Sequence, residues 1–340
     1  MHPELFKIGT FAVAWYGVLI TLGVLIGAVL GTRLAERRGL NANLMSDMIF
    51  WAVLWGVVGA RVVYVLTSAS QFIQEPNEAF FTWLIRLINI REGGLAIHGG
   101  LIFGIAALYY YQRRYKINFY QYADLFVPGV ALGIIGGRLG NFFNGNDTVG
   151  RLTASPLGWT WPDAGSSILG IFSGERNWQG LSSLCYIKGE THIGADCFQA
   201  GGSLSEIGKL MTRGPVHLTQ IYGVFIGVAL VIAAFYWLRS KRPGWVFWQF
   251  IFWYSFLRSA IEETFRLNPL FLRLWVDDGP KSLGVGLLTL TQIYSIPLCL
   301  LALFMLWRIR KEPEQPWGEG LSVPKPINPS NLVSSANPGK

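Results

Sequence analysis

Apolar residues gather into seven runs, at 11–31, 44–66, 95–111, 125–142, 218–238, 245–261 and 287–307. Each comes near the ~20 residues that a helix needs to cross a bilayer. The pattern predicts an all-α, multi-pass membrane protein with seven transmembrane helices. The run at 95–111 is short, and Gly99-Gly100 makes it a weak helix by propensity alone.

The polar stretches between the runs alternate in charge. Arg33, Arg37 and Arg38 follow the first run, and Arg113, Arg114 and Lys116 the third. Arg239, Lys241 and Arg242 follow the fifth, and Arg308, Arg310 and Lys311 the last. The positive-inside rule assigns these four to the cytoplasm, so the N-terminus is expected outside and the C-terminus inside. Only Lys7 precedes the first run and no small-residue cleavage site follows it, so it reads as a retained helix rather than a signal peptide. The outer segments are then 67–94, 145–216 and 263–286. The middle one is rich in Gly, Ser, Trp and polar residues and is long enough for a small extracytoplasmic head. Residues 1–312 are expected to form the transmembrane catalytic domain with that head inserted at 145–216. The proline-rich stretch 313–340 is expected to be a disordered cytoplasmic tail. No internal repeat is found.

Composition agrees. The chain is 51% hydrophobic and only 14% charged, against roughly 25% charged for a soluble domain. Its net charge of +8 does not point to nucleic acid, because the basic residues lie in short clusters between apolar runs. Three cysteines are too few for a disulfide framework. Cys185 and Cys197 both fall in the outer head, where a disulfide can persist; bonded and free forms stay open. Cys185, His192 and Cys197 match no familiar zinc spacing.

The informative residues are polar ones inside the apolar runs or at their edges: Arg61, His98, Arg138, Asn141, Arg258, Glu262 and Glu263, with Tyr16, Gln220 and Gln292 as milder cases. A buried intramembrane arginine costs a few kcal/mol or more at mid-depth, so something anionic or strongly polar must meet it. Most of these residues fall toward the outer ends of their runs, and arginines outnumber carboxylates. A pocket for an anion follows, and arginine suits bidentate phosphate contact. Tyr254, Arg258 and Glu262 are spaced four apart and share one helix face, so Glu262 is expected to orient Arg258; Glu263 points about 100° away. His98, within GGLAIHGGLIFG, can exchange a proton near neutral pH, and its flanking glycines allow close approach. Each feature also has a plainer reading. Arg61 can snorkel to the headgroups, His98 can be a core histidine, and the glycines can serve helix packing. Gln220 and Gln292 can join helices, and Tyr16 can belong to an interfacial aromatic belt.

Two blocks, REGGLAIHGGLIFG and GGRLGNFFNGND, resemble the bacterial phosphatidylglycerol–prolipoprotein diacylglyceryl transferases. The resemblance extends in family order through AWYGVLI, GARVVYVL, HLTQIY, WYSFLRSAIEETFR and TQIYSIP. It implies a plasma-membrane enzyme with seven spans and an outer N-terminus. Such an enzyme moves the diacylglyceryl unit of phosphatidylglycerol to the lipobox cysteine thiol of a prolipoprotein, forming a thioether and releasing glycerol phosphate. Carried over by motif, Arg138 and Arg258 hold the lipid phosphate and His98 is a base. Tyr16, Asn141, Gly150 and Tyr254 support them, with Glu262 among the catalytic set. Arg61, Gln220, Gly99, Gly100 and Asn144 are expected at the substrate. The implied partners are phosphatidylglycerol, prolipoprotein signal peptides and the lipid bilayer, with no nucleic acid, and no metal or organic cofactor is needed.

The sequence departs from the family in four places. Asn146 and Asp147 stand where a glutamate follows NG, and Gly223 replaces the glutamate that ends HPSQLYE. The arginine-to-glutamate interval fits Glu262 counted from Arg258 but Glu263 counted back from Arg266. The head is also longer. These departures leave the base open among His98, Asp147, Glu262 and Glu263. A transporter for an anionic solute is the competing reading; it predicts internal repeats. A lipid-binding structural protein is a third, and it would tolerate loss of Arg138.

Overall fold

The computed structural model describes residues 4–8, 11–73, 78–90, 94–144, 150–159, 184–187, 190–193, 215–268, 270–272, 274–277, 281–315 and 317. The fold is mostly helical. Eight α-helices appear among the described residues: α1 (Trp15–Arg37), α2 (Ala42–Thr67), α3 (Phe80–Ile88), α4 (Ile97–Tyr115), α5 (Phe119–Asn144), α6 (Thr219–Trp237), α7 (Trp245–Leu257) and α8 (Leu290–Lys311). Five of them, α1, α2, α5, α6 and α8, are long and apolar enough to cross a membrane. α7 is shorter because its α-helical winding stops at Leu257, yet the chain continues as a π-helical turn over Arg258–Glu263. α4 starts at Ile97 and ends in a basic turn at Arg113 and Arg114.

Among the described residues, three antiparallel two-stranded ribbons accompany the helices, which the expectation of an all-α chain did not include. β1 (Glu4–Ile8) pairs with β2 (Phe11–Ala14), β3 (Leu184–Ile187) with β4 (Glu190–Ile193), and β5 (Val276–Asp277) with β6 (Val285–Gly286). The first ribbon takes the opening residues of the first apolar run, so the helix begins only at Trp15. Of the expected head, the ribbon β3–β4 and the flanks 150–159 and 215–216 lie among the described residues. Cys197, the side chains of Cys185 and His192, and nearly all of the expected tail lie outside them.

The chain divides into two compact units. One comprises Ala35–Tyr122 with Pro316–Lys340. Here α2 packs on α4 through glycines: a Cβ placed on Gly59 would lie 2.6 Å from the Gly99 carbonyl, and one on Gly100 would lie 3.4 Å from the Gly56 carbonyl. The glycines let the backbones come close and leave room for Phe103 and Val63 beside them, which is the small-residue packing that membranes favour. Asn41 caps α2, its side chain accepting from the Leu44 N–H at 3.1 Å.

The other unit comprises Met1–Leu34 and Ala123–Gln315. α6 and α8 both pack against α7, and α1 approaches α5, where Trp15 stacks on Phe143 with ring centroids 4.9 Å apart. At one end, Asp124 of α5 accepts the Gly244 and Phe247 N–H groups at 2.8 Å each, capping α7 from a neighbouring helix. At the other end, four loops knit together. Arg151 N–H donates to the Phe265 carbonyl at 2.8 Å, and His217 N–H to the Arg151 carbonyl at 3.1 Å. Thr153 N–H donates to Pro215 at 2.9 Å and Ala154 N–H to Ser282 at 2.8 Å. Large apolar side chains such as Leu25, Phe225, Ile232, Leu300 and Phe304 face outward, while Gln220, Glu262, Glu263 and Arg138 are buried. Apolar outside and polar inside is the arrangement expected of helices in lipid.

Candidate active site

Arg138 and the π turn after α7 converge in the larger unit. Arg138 is 7% exposed and Glu262 1%; Arg138 Nη2 lies 2.6 Å from Glu262 Oε1. The neighbouring carboxylate, Glu263, is fully buried and is the hub of the cluster. Its Oε1 lies 3.5 Å from Arg258 Nη2 and 3.3 Å from Arg266 Nη1. Its Oε2 accepts from Asn268 Nδ2 at 2.7 Å and from the Thr289 hydroxyl at 3.4 Å. Arg266 Nη1 also lies 3.9 Å from Glu262 Oε1. Arg258 Nη1 donates to the Tyr254 hydroxyl at 3.0 Å, and the Tyr254 ring stacks on Phe250.

The π turn explains this arrangement and corrects one expectation. With α-helical spacing, Glu262 would face Arg258 and Glu263 would point away. The π winding instead brings Glu263 to Arg258, five residues on, and sends Glu262 to Arg138. A π turn leaves a carbonyl out of the i→i+4 ladder. The Ser259 carbonyl is taken up by Gln292 Nε2 at 2.9 Å and by the Thr264 hydroxyl at 3.2 Å. Gln292 is itself fixed by a capping box with Thr289 at the start of α8. Gln292 is therefore the joint between α8 and the π turn.

Other expected residues gather on the same unit. Tyr16, 38% exposed on α1, lies against α5 at Gly140: a Cβ there would fall 2.9 Å from the Tyr16 Cα. Asn141 is half-buried one turn beyond Arg138. Gln220 is fully buried on α6. One turn along α6, Gly223 makes room for the Arg138 stem, since a Cβ there would lie 2.8 Å from Arg138 Cγ, Cδ and Nε. The glycine that replaces the family's glutamate thus lies directly against Arg138. Gly150 bridges Arg266. His217 stacks near Phe265 with centroids 4.4 Å apart. Its Nε2 donates to the Leu283 carbonyl at 2.7 Å, which leaves Nδ1 to accept from the Tyr222 hydroxyl at 2.9 Å. Burial pushes His217 below its ordinary pKa, and the Leu283 carbonyl only partly opposes the shift.

Four expected residues, Arg61, His98, Gly99 and Gly100, belong to the smaller unit. His98 is the second residue of α4; its side chain lies outside the described residues, as do those of Asn144 and Asp147. Gly99 and Gly100 sit in the α2–α4 contact. Arg61 neither snorkels nor stands open. Its guanidinium donates to the carbonyls of Arg86 and Leu87 at 2.8 Å and of Gly94 at 3.1 Å, closing the C-terminal end of α3.

Sequence reasoning missed Arg266, Asn268, Thr289 and Arg151 and demoted Glu263. Glu262, Glu263 and Arg266 stand three and four residues apart, and that spacing was the available signal for an ion-pair ladder.

Comparison with known proteins adds an independent line. The family model for prolipoprotein diacylglyceryl transferase matches residues 3–308. The chain is 49% identical over 313 residues to the phosphatidylglycerol–prolipoprotein diacylglyceryl transferase of Deinococcus radiodurans, covering 92% of this chain and 86% of that one. It is 42% identical over 309 residues to the protein of the same name from Thermus thermophilus, covering 90% and 97%. At 28% identity, the Cronobacter sakazakii protein of that name still aligns over 92% of this chain. A match of this length, with these identities across nearly the whole of both partners, makes the chain a member of the prolipoprotein diacylglyceryl transferase family.

Proposed function

We propose that this chain transfers the diacylglyceryl group of phosphatidylglycerol to the lipobox cysteine of prolipoproteins in the bacterial plasma membrane. One observation carries the reading. Three guanidinium groups, Arg138, Arg258 and Arg266, gather around two buried carboxylates, Glu262 and Glu263. That excess of one positive charge suits a lipid phosphodiester, which carries one negative charge. In the reaction the cysteine sulfur attacks the glycerol carbon that bears the phosphate. The C–S bond forms as that C–O bond breaks, and glycerol phosphate leaves with one further negative charge on its oxygen. Arg138 and Arg258 face that charge in a low-dielectric site, where fixed donors stabilise it most.

The thiol, with a pKa near ~8.5, must lose its proton to attack. His98 is the base in this scheme, with Asp147 as the alternative; Glu262 and Glu263 are already engaged by guanidinium partners. Tyr16 packs on α5 at Gly140, Asn141 lies one turn beyond Arg138, and the Tyr254 hydroxyl accepts from Arg258. Gly150 pairs with Arg266 of the cluster, and Gln220, Arg61, Gly99, Gly100 and Asn144 are assigned to the substrates. No metal or organic cofactor enters the scheme. Seven spans follow from the apolar runs, and an outer N-terminus and a cytoplasmic C-terminus from the loop charges. Both substrates then arrive through the bilayer, one as a lipid and one by its apolar signal helix. Residues 1–312 form the catalytic domain, with the head at 145–216 outside and the tail 313–340 in the cytoplasm.

Purified protein in phosphatidylglycerol-containing detergent micelles is expected to form a thioether on a lipobox peptide. Arg138→Ala and Arg258→Ala are expected to abolish it while eluting as folded monodisperse protein. Turnover retained in either variant overturns the assigned site.

A further inference from the structure

We propose that Arg151 is a positioning residue for Arg258 and Arg266, acting through Asn268 and Glu263. The proposal rests on the transfer reading above and adds a residue to it. Arg151 lies outside every apolar run, yet it is only 3% exposed. Its backbone is clamped on both sides, by the Phe265 carbonyl and by the His217 N–H. Its guanidinium Nη2 donates to the Asn268 carbonyl at 3.1 Å. Asn268 in turn donates from its side-chain amide to Glu263 Oε2 at 2.7 Å. The other oxygen of Glu263 lies 3.5 Å from Arg258 and 3.3 Å from Arg266.

Each link fixes the next. Asn268 follows the last helical turn, in a loop, and a side-chain amide can hold a carboxylate in place only if its own backbone is held. The Asn268 N–H is tied to the Arg266 carbonyl at 2.9 Å, and Arg151 holds the Asn268 carbonyl on the other side. The chain leaves space for it at Gly286 on β6, where a Cβ would lie 2.6 Å from Arg151 Cζ and Nε. Even an alanine there must push the guanidinium aside. A planar guanidinium aimed by its fork does what a lysine ammonium cannot. Arg151 does not itself touch the reacting atoms; its effect is to fix where two charged groups stand. Misplacing such groups by about an ångström can cost up to a hundredfold in rate.

The test uses the full chain in micelles, with phosphatidylglycerol and a lipobox peptide, and rates normalised to monodisperse protein. Arg151→Met and Gly286→Ala are each expected to lower kcat about tenfold or more, with KM for phosphatidylglycerol changed less than about threefold. Asn268→Leu cuts the relay at its middle. Adding Arg151→Met or Gly286→Ala to it is expected to lower kcat less than about twofold further. If the losses multiply, or if only the folded fraction falls, the relay is wrong. Should Arg151→Met fail to fold, Gly286→Ala reads the same coupling. A wild type that makes no thioether overturns the transfer reading itself, whereas an active wild type with multiplying losses overturns the relay alone.

Discussion

Removing Arg138 should damage stability and activity for two separable reasons. In Arg138→Ala, Glu262 is left 1% exposed without its 2.6 Å partner. Its nearest remaining cation is Arg266 at 3.9 Å. Breaking one side of a buried ion pair costs about 3–5 kcal/mol, and Arg266 places this case at about the lower end of that range. About 3 kcal/mol corresponds to roughly 6–12 °C in melting midpoint for a chain of this order of size. Adding Glu262→Gln removes the stranded charge while keeping the side-chain shape. The double variant should therefore recover most of the lost midpoint, whereas activity should stay down by about 10²–10³, the usual cost of one transition-state donor. The assays are a thermal melt in detergent micelles and thioether formation on a lipobox peptide. A double variant as unstable as Arg138→Ala would refute the Arg138–Glu262 pairing. Recovered turnover would show that Arg138 does not meet the phosphate.

Two further outcomes are expected. Gly223→Ala puts a methyl group 2.8 Å from the Arg138 stem, and should lower kcat/KM about tenfold or more with little change in melting; unchanged turnover would mean that the stem has room to move. His217 is held neutral by burial, so its folded pKa lies below its unfolded value of about 6.5. As pH falls through that value the unfolded chain takes up a proton that the folded chain refuses, and stability drops. The melting midpoint should therefore fall between about pH 7.5 and 5.5, and His217→Gln should flatten part of that slope; parallel slopes in the two proteins exclude the histidine.

Arg138 and Arg258 were legible in the sequence because an arginine in an apolar run has few harmless explanations. The partners of those arginines were less so. The choice between Glu262 and Glu263 assumed 3.6 residues per turn, and the π winding over Arg258–Glu263 makes that assumption false at this one place. Both carboxylates are used, one for each helix. Arg151 and Asn268 lie in loops, where hydrophobic periodicity says nothing and only the folded chain brings them together. Arg61 read as a ligand or a snorkelling cation. It donates to backbone carbonyls at the end of α3, and no side-chain pattern announces those bonds. The helix α3, FFTWLIRLI, was passed over inside the outer segment 67–94; its Phe80, Phe81, Ile85 and Ile88 are exposed. The strand β2 was hidden because it is as apolar as the helix it precedes.

The aspartate that caps α7 has a geometric corollary. Fourteen residues lead from Asp124 to Arg138 along α5, and fourteen lead from Gly244 to Arg258 along α7. At 1.5 Å per residue both paths measure about 21 Å. Two paths of equal length thus start from a single carboxylate, and one ends at each arginine. Sliding either helix along its axis would pull on that pin, so where each arginine stands is tied to the opposite end of the bundle.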